Sequence, residues 1–492
     1  MINLYDRIWQ KKAYLKNKGE IYNLPNVGNF YDNKEFSIDI KKIKKYYELK
    51  SKPQYFTFDK KMFSFTSGDP INYPSFKPAI DNMKKIIKSN KFCEYPQTTG
   101  DTDDKQCIID YCNYIGIRRN EDNKELDEYN ITFSCSTTHA FSMIMELISN
   151  PGDAIIISSP NYGIFDFIPE RLGVKVVTVP LRKENNYLID VKELENIIIE
   201  TNNNLKNNAR VIAYLNINPH NPTGKVMGIK QKRILKDIGT CCKKNHMFVI
   251  DDLIYRDLSY DRGNIALPIA TFNNYFENTI TLLGISKSYG LAGVRGGVVV
   301  ANKTITKALK DMIFQYMDSM PILTISALTG TFNNKKYRGR YFDNYNNKVI
   351  EIYKNKYLLF KAIIDGISEI DVQKREEIVK KIKKVVPKKK LEYALSGIDM
   401  VNFPINLKPE SGFFTLLDFT KIKGKSYDDI TIMDDIDLFK FLFKYGKTKV
   451  IPGSAMIWPY KDELIIRVTF AIEDDDIINS LLSIKEALKE LK

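Results

Sequence analysis

The sequence predicts an α/β fold in which helices flank a mostly parallel sheet. Between residues 130 and 301, short apolar runs rich in β-branched residues alternate with stretches of helical periodicity. Such alternation is typical of parallel strands joined by crossover helices. Of the 492 residues, 43% are hydrophobic and 12% are aromatic, so the chain can form a large core and is not of the disordered class.

Seven of these runs are predicted strands of the large sheet. They are NITFS (130–134), AIIIS (154–158), KVVTV (175–179), VIAYL (211–215), MFVID (247–251), TITLL (279–283) and GVVVA (297–301). The stretch THAFSMIMELIS (138–149) is a predicted amphipathic helix that ends before Asn150-Pro151-Gly152. Because ligands bind at the carboxyl ends of parallel strands, functional side chains are expected directly after these runs.

A smaller α+β unit is predicted after about residue 330. Its expected strands are FFTLLDF (413–419), VIPGS (450–454) and IIRVTF (465–470), and its last helix is IINSLLSIKEALKELK after the acidic EDDD. The first 60 residues show no clear pattern beyond a predicted helix in 38–48. The predicted division is an N-terminal extension with part of the small domain (1–75), a large ligand-binding domain (76–330) and a small C-terminal domain (331–492) with a lysine-rich insertion near 371–410.

The net charge of +14 raises the question of an anionic partner. Seven lysines lie in KKIKKVVPKKK (380–390), and the other basic residues are interleaved with acidic residues and asparagine. Because nucleic-acid recognition needs a basic patch on one face, this distribution argues against a nucleic-acid partner and favours a solvated insertion. No apolar run reaches the roughly 18 residues of a membrane span. The polar first 20 residues lack the apolar core of a secretory signal, so a cytoplasmic protein is expected.

Cysteine and histidine patterns predict neither disulfides nor a metal site. None of the six cysteines belongs to a CxxC pair, and the three histidines share no ligand spacing. Cys241 and Cys242 continue the apolar face of Ile234, Leu235 and Ile238 at helical spacing. Both thiols are therefore expected in the core.

Predicted strand ends carry polar residues of distinct types. The loop NPHNPTG (218–224) holds Asn221 between prolines and a glycine. FVIDDLIY (248–255) ends an apolar strand with Asp251 and Asp252, which is costly unless the carboxylates are paired or hydrogen-bonded. Taken singly, a loop asparagine is most simply a turn former, and one of the two aspartates is most simply a helix cap.

Two further strand ends supply hydroxyl groups, a lysine and an arginine. SCSTTH (134–139) places Ser136, Thr137 and Thr138 where a strand becomes a helix, an arrangement that suits a phosphate. GISKSYGLAGVRGG (284–297) sets Lys287 between two serines, with Arg295 eight residues later. Together, lysine, aspartate, asparagine, tyrosine and an anion-binding helix start match the needs of pyridoxal 5′-phosphate (PLP).

The ordered motifs NPHNPTG, D-x-x-Y, SK with G-x-R, and R-V-T-F resemble those of the class I/II aminotransferases, a family of fold-type I PLP enzymes. The resemblance covers roughly residues 60–335 and 410–475. It implies PLP as the cofactor, an amino acid and a 2-oxo acid as substrates, and a role in amino acid metabolism and biosynthesis. It also implies a homodimer with shared active sites.

The resemblance assigns the residues around the cofactor ring. Lys287 forms the Schiff base with PLP and shuttles the proton of the reaction, and Asp252, three residues before Tyr255, pairs with the pyridine nitrogen. Tyr255 and Asn221 hydrogen-bond the ring oxygen and so lower the pKa of the Schiff base. Tyr162, in PNYG, stacks on the ring.

The resemblance also assigns residues to the phosphate and the substrate. The phosphate contacts are Ser136, Thr137, Thr138, Ser286, Arg295 and, from a neighbouring subunit, Tyr95. Arg467 in IIRVTFA binds the substrate α-carboxylate, a bidentate task for which lysine is a poor substitute. Gly68 in TSGDP contacts the same carboxylate through its backbone, and Asn221 also lies on the substrate side.

The sequence departs from the family pattern at two positions near these motifs, Gly284 and Leu253. Gly284 stands where the family usually has a hydroxyl residue three positions before the lysine, so that phosphate contact is expected to be missing or transferred to Ser286. Leu253 replaces an acidic residue that often follows the ring-binding aspartate, and Asp251 is one residue out of register and is expected to be structural.

Two other functions fit parts of this pattern. A PLP-dependent C–S β-lyase or a cyclopropane-forming lyase on the same fold would share the PLP residues and Arg467, and would differ in its product. A regulator that binds nucleic acid and retains the fold would leave Lys287, Asp252 and Arg467 idle. The substrate side chain stays open, as do the directions of Tyr289 and Arg256.

Overall fold

A computed structural model describes residues 62–70, 74–117, 125–272, 274–333 and 341–492, so the predicted helix in 38–48 lies outside the described residues. The strands in chain order are β1 (Phe63–Ser64), β2 (Ile131–Ser134), β3 (Ala154–Ser159), β4 (Lys175–Pro180), β5 (Val211–Ile217), β6 (Phe248–Asp252), β7 (Thr279–Gly284), β8 (Gly297–Val300), β9 (Phe414–Asp418), β10 (Ser426–Tyr427), β11 (Ile430–Thr431), β12 (Thr448–Lys449), β13 (Ile451–Pro452) and β14 (Ile465–Thr469).

The helices alternate with the strands of the first half and dominate the second. They are α1 (Lys77–Ile87), α2 (Thr102–Ile115), α3 (Thr137–Ile148), α4 (Ile164–Arg171), α5 (Val191–Asn204), α6 (Lys232–Lys244), α7 (Lys303–Met317), α8 (Ile322–Phe332), α9 (Tyr341–Ile364), α10 (Val372–Val385), α11 (Leu391–Leu395), α12 (Asp435–Lys444) and α13 (Asp474–Leu488). Among the described residues, no helix is long and apolar enough to cross a membrane.

All seven strands predicted for the large sheet are present and pair in one sheet. Their order is β2-β8-β7-β6-β5-β3-β4. The strands from β7 through β6, β5 and β3 to β4 are parallel, and β8 is antiparallel to both of its neighbours. The prediction of a mostly parallel sheet flanked by helices is therefore confirmed.

Alternating side chains of the sheet enter two separate layers of core. In β3, Ile155 and Ile157 pack with α3 and its neighbours, whereas Ala154 and Ile156 face the layer formed by α5 and α6. Cys241 and Cys242 on α6 are 5% and 0% exposed in that second layer, which confirms the predicted burial of both thiols.

A three-stranded antiparallel sheet, in the order β13-β14-β9, carries the small domain. The predicted strand 450–454 is shorter than expected, because the chain turns into a 3-10 helix at Gly453. β1 pairs in parallel with β12, and Phe65 joins the small-domain core. The segment that carries Gly68 is thereby fixed to the small domain.

The lysine-rich stretch forms α10 and the turn that follows it. Ile378 and Ile382 are buried in the small-domain core, while Lys383, Lys384 and the 3-10 turn 388–390 face solvent. The stretch 371–410, predicted to be an insertion, thus contains a packed helix with one solvated basic face.

Candidate active site

The predicted site residues meet at one edge of the large sheet. Asp252 is the last residue of β6, Asn221 lies in the loop after β5, and Lys287 follows the end of β7 by three residues. These three strands are parallel neighbours, so their loops leave at the same edge. The segment 66–68 crosses that edge and contacts both cations of the site, since its carbonyl groups accept hydrogen bonds from Lys287 and Arg467.

Lys287 is half-buried, and its amine donates a 2.7 Å hydrogen bond to the carbonyl of Gly68. Burial lowers the pKa of this amine to about 8; Asp69 and Asp252 oppose the shift, and the charges of Arg467 and Arg295 add to it. An amine with a pKa near 8 is partly unprotonated at neutral pH and can attack an aldehyde carbon.

The two adjacent aspartates at the end of β6 have different environments. Asp251 accepts hydrogen bonds from Asn216 Nδ2 at 2.7 Å and from the N–H of Ile269 at 2.8 Å, so the fold uses both of its oxygens. Asp252 accepts the N–H of Ile254 through Oδ1 at 3.1 Å, and its Oδ2 has no protein partner in the described ranges. Burial raises the pKa of Asp252 to about 7. A cationic ring nitrogen beside Asp252 would keep it ionised.

Arg467 lies on β14, is 5% exposed and meets the large domain. Its Nη1 donates to Asn221 Oδ1 at 3.3 Å, its Nη2 donates to the Thr66 carbonyl at 3.0 Å, and its guanidinium lies 5.5 Å from the centre of the Phe414 ring. Its Nε is buried without a hydrogen-bond partner, and no carboxylate of the described residues pairs with it. Burial lowers the pKa of Arg467. A buried guanidinium with an unused donor suits a carboxylate ligand.

The NPHNPTG loop is held by polar side chains that the sequence did not single out. The side chain of Asn218 exchanges hydrogen bonds of 2.8 and 2.9 Å with the backbone of Met227. His220 lies between Ser158 Oγ at 2.8 Å and Thr223 Oγ1 at 2.9 Å. Burial lowers the pKa of His220 to about 3, so the ring is neutral at physiological pH. This fixed loop presents the predicted ring-binding asparagine.

Asn221 and Tyr255 supply two buried donors beside Arg467. Asn221 is 6% exposed, and its Nδ2 has no protein partner in the part of the chain described. Tyr255 packs edge-on against Phe413 and Phe414, with ring centres 5.9 and 5.3 Å away. Burial raises the pKa of Tyr255, so its phenol keeps its proton at neutral pH. Both groups can donate to a ring oxygen.

The predicted phosphate contacts surround the start of α3. Ser136 caps the helix with a φ of 113°, and its Oγ accepts the N–H of His139 at 3.2 Å. Thr137 and Thr138 form the first turn, where backbone N–H groups have no carbonyl partner within the helix. A Cβ on Gly297 would come within 2.7 Å of Thr137 N, so a glycine is needed at this close approach.

Arg295 has a left-handed φ of 58° and an exposed side chain that donates to the carbonyl of Ala292 at 3.1 Å. Its charge reaches Lys287, where it helps to lower the pKa of the amine. In the single chain the guanidinium therefore bonds its own turn, and a phosphate contact from Arg295 stays a prediction.

The departure at Gly284 has a steric cause. A Cβ there would overlap the Cδ1 methyl of Ile254 and approach Thr137 Cγ2 to 3.1 Å. A hydroxyl side chain at this position does not fit while Ile254 keeps its place. Ser286, which was expected to replace that contact, is 6% exposed.

Two predicted aromatic contacts are open to solvent in the single chain. Tyr162 is 44% exposed, and its ring packs edge-on against Phe165 with centres 6.0 Å apart. Tyr95 is 88% exposed, so its predicted role requires a second copy of the chain. The roles of both tyrosines stay predictions.

A buried network beside the site was not predicted from the sequence. Asp257 accepts hydrogen bonds from Arg256 at 2.7 Å, Tyr111 at 2.7 Å and Tyr289 at 2.6 Å. Tyr111 and Asp257 are 146 residues apart. No local pattern could indicate this contact, and the sequence offers only the adjacency of Arg256 and Asp257.

The residues present fit PLP. Lys287 can hold its aldehyde carbon, Asp252 has one oxygen that no described residue uses and that can meet the ring nitrogen, and the α3 start can hold its phosphate. The unused Nε of Arg467 leaves a place for the carboxylate of an amino acid.

Comparisons with known proteins agree with this geometry. The family model described as aminotransferase class I and II matches residues 60–379. The aspartate aminotransferase of Musicola paradisiaca is 25% identical over 369 residues, which are 73% of this chain and 74% of that protein. The histidinol-phosphate aminotransferase of Thermoanaerobacter pseudethanolicus is 28% identical over 267 residues, which are 54% of this chain and 63% of that protein.

Solved structures show the same fold. The aspartate aminotransferase from Rhizobium meliloti superimposes with a TM-score of 0.69 at 18% identity, over 88% of this chain and 92% of that chain. A PLP-bound protein from Clostridium difficile 630 superimposes with a TM-score of 0.63 at 20% identity, over 87% of this chain and 92% of that chain.

Proposed function

Because the chain belongs to the class I and II aminotransferase family and is a PLP-dependent enzyme, we propose that it moves the amino group of an L-amino acid to a 2-oxo acid at the site around Lys287. The observation that carries this proposal is Arg467. A buried guanidinium with no carboxylate partner among the described residues, bonded to Asn221, suits a ligand that brings a carboxylate to the cofactor.

The residues of the site divide the proposed tasks among them. PLP, when bound, supplies an electron-accepting ring that stores the amino group between the two half-reactions. Lys287 holds the cofactor and carries the proton that leaves and returns at the substrate Cα. Asp252 keeps the ring nitrogen protonated, Tyr255 donates to the ring oxygen, and Arg467 orients the α-carboxylate.

The substrate side chain is the finer part of the proposal. The relatives compared above are named for aspartate and histidinol phosphate, and their identities of 25% and 28% do not transfer either substrate to this chain. The C–S β-lyase and cyclopropane-forming alternatives share the cofactor residues, and only their products distinguish them from an aminotransferase.

The test follows the visible spectrum of the PLP-loaded enzyme while a panel of amino acids is added, and then a 2-oxo acid. We expect one amino acid class to bleach the band and the 2-oxo acid to restore it, with one keto acid formed for each amino group transferred. Release of ammonia with pyruvate, or of a cyclised product, would instead establish a lyase. The variant Lys287→Ala should show neither change.

We also propose that two copies share each active site through Tyr95. Its 88% exposure is accompanied by the exposed apolar residues Ile87, Phe92, Phe314 and Tyr316, which a second copy would cover. Tyr95→Ala and Lys287→Ala should each be inactive alone. If the sites are shared, random mixing of the two should restore about a quarter of the wild-type sites, because half of the dimers then have one complete site. No recovery from subunits shown to exchange would contradict shared sites.

A further inference from the structure

One buried carboxylate joins three segments of the chain beside the cofactor site. Asp257 lies in the 3-10 turn Arg256–Leu258 and is 4% exposed. Its Oδ2 accepts from Tyr111 on α2 and from Tyr289, and its Oδ1 accepts from Arg256. All three donors are buried, with exposures of 4%, 1% and 7%. A charged centre inside a core is costly, which suggests that it fixes one particular arrangement.

The network touches the site through two of its members. Tyr289 is two residues after Lys287, and Arg256 directly follows Tyr255. The hydrogen bond from Tyr289 to Asp257 therefore joins the loop that carries the lysine to the turn that carries the ring-binding tyrosine. A second, weaker link is parallel to it, since Ser288 Oγ lies 3.3 Å from the Ile254 carbonyl.

The two tyrosines of the network donate to Asp257 through their hydroxyl groups. Burial raises the pKa of Tyr111 and of Tyr289 well above the ordinary value, and the charge of Asp257 raises both further. Both phenols therefore keep their protons at neutral pH and donate to Asp257. Hydrogen bonds to a charged acceptor are among the stronger ones in proteins, so this link is stiffer than the link through Ser288.

We propose that Asp257 is a positioning residue, which through Tyr289 holds the Lys287 loop against the turn of Tyr255 and so sets where the lysine amine meets the cofactor. The proposal rests on the proposed function. It assigns Tyr111 a different task, because that hydroxyl reaches the same Asp257 oxygen from α2 and is not part of the lysine loop.

The two tyrosines provide a matched pair of variants. Tyr289→Phe and Tyr111→Phe each remove one buried hydroxyl from the same carboxylate oxygen, at 2.6 and 2.7 Å. The ring of Tyr289 keeps its packing against Phe76 and Phe332, with centres 5.5 and 5.9 Å away. We expect similar losses of thermal stability in both apoenzymes, because the lost bonds are alike.

The decisive measurements are the rate at which the apoenzyme captures PLP and the pH midpoint of the holoenzyme's visible absorbance. For Tyr289→Phe we expect capture to slow by about tenfold, the size of a lost charge-assisted bond, and the midpoint to move. For Tyr111→Phe we expect both readouts to stay at wild-type values. Equal effects in the two variants, or no effect in Tyr289→Phe, would overturn the proposal.

A second variant tests the proposal if Tyr289→Phe does not fold. Asp257→Asn keeps an oxygen for the tyrosines and removes the charge, and it should shift the same midpoint in a smaller degree; an unchanged midpoint would count against the proposal. If wild-type protein formed no visible band with PLP, the proposed function itself would fail. If the wild-type band is normal and Tyr289→Phe keeps the wild-type capture rate and midpoint, the positioning role is wrong and the proposed function still stands.

Discussion

Replacing Arg467 by lysine tests the assignment of the substrate carboxylate most directly. The arginine uses Nη1 for Asn221 and Nη2 for the Thr66 carbonyl, and its buried Nε has no partner within the described ranges. Lysine brings the same charge on a single nitrogen with three donors. Its three donors cannot bond Asn221 Oδ1, the Thr66 carbonyl and both oxygens of a carboxylate at the same time, so at least one charge-assisted hydrogen bond is lost.

The expected loss of activity follows from this one lost hydrogen bond. One hydrogen bond to a charged group is worth about 1.5–3 kcal/mol, which corresponds to a fall of about 10–150-fold in kcat/KM for the amino acid. The affinity for PLP should stay unchanged, because the ring and phosphate contacts come from other residues. Single-turnover bleaching of the visible band measures the amino acid half-reaction, and the same assay with the corresponding decarboxylated amine provides the comparison.

The comparison with the amine decides the outcome. Arg467→Lys should react with the amine at the wild-type rate. The preference for the amino acid over the amine should therefore shrink by the same factor of about 10–150, which corresponds to about 1.5–3 kcal/mol. Arg375→Lys is the control, since Arg375 on α10 also donates two hydrogen bonds, to the carbonyls of Ile370 and Ser368. An equal loss with both substrates would show that Arg467 supports the fold and does not bind the carboxylate.

Three further predictions concern the cofactor side of the site. With the Lys287 pKa near 8, compared with the ordinary 10.5, PLP capture should rise about tenfold per pH unit up to pH 8 and then level off, because only the unprotonated amine reacts; a rise that continues to pH 10 would contradict the shift. Asp252→Asn should slow the half-reaction by at least about tenfold at normal stability, whereas Asp251→Asn should lose about 1–3 kcal/mol of unfolding free energy, by urea titration, with the cofactor spectrum intact. Gly284→Ala should lower the free energy of unfolding by about 1–3 kcal/mol, because the added Cβ overlaps Ile254. Combining it with Ile254→Val, which removes the Cδ1 methyl, should recover most of that loss. Equal urea midpoints for the single and double variants would contradict the steric explanation.

The fold was largely predictable because its signals are local. Each strand of the large sheet is a short apolar run, and burial on both faces makes such runs continuous, as in β3 from Ala154 to Ser159. The helix bounds were also close, since α3 covers Thr137–Ile148 against the predicted 138–149. The packing of the lysine-rich α10 was harder to predict, because Ile378 and Ile382 are the only buried residues of this helix and the rest of its sequence is typical of a solvated segment.

The site was predictable where polar residues follow strands. Asp252, Asn221 and Lys287 each come after an apolar run, and the parallel order of β5, β6 and β7 brings their loops together. The difference between Asp251 and Asp252 follows from the alternation of side chains along a strand. Their separate partners could not be deduced, since Asn216 and Ile269 reach Asp251 from other segments.

Contacts between segments far apart in the chain could not be predicted from the sequence. Arg467 and Asn221 are 246 residues apart, and Lys287 and Gly68 are 219 apart. The family motif could name Arg467, but only the packing of β14 shows that its Nε lacks a partner among the residues that the structure describes. Gly284 illustrates the same limit, because the steric reason for glycine is a methyl of Ile254.

The positions of Arg467 and Lys287 have one structural consequence for the proposed chemistry. Both cations bind carbonyl groups of the segment 66–68, and that segment is attached to the small domain through β1 and Phe65. A substrate carboxylate that recruits the unused Nε of Arg467 would bind where the small domain, the 66–68 segment and the NPHNPTG loop meet. Carboxylate binding and the placement of the lysine therefore use the same short segment of the chain.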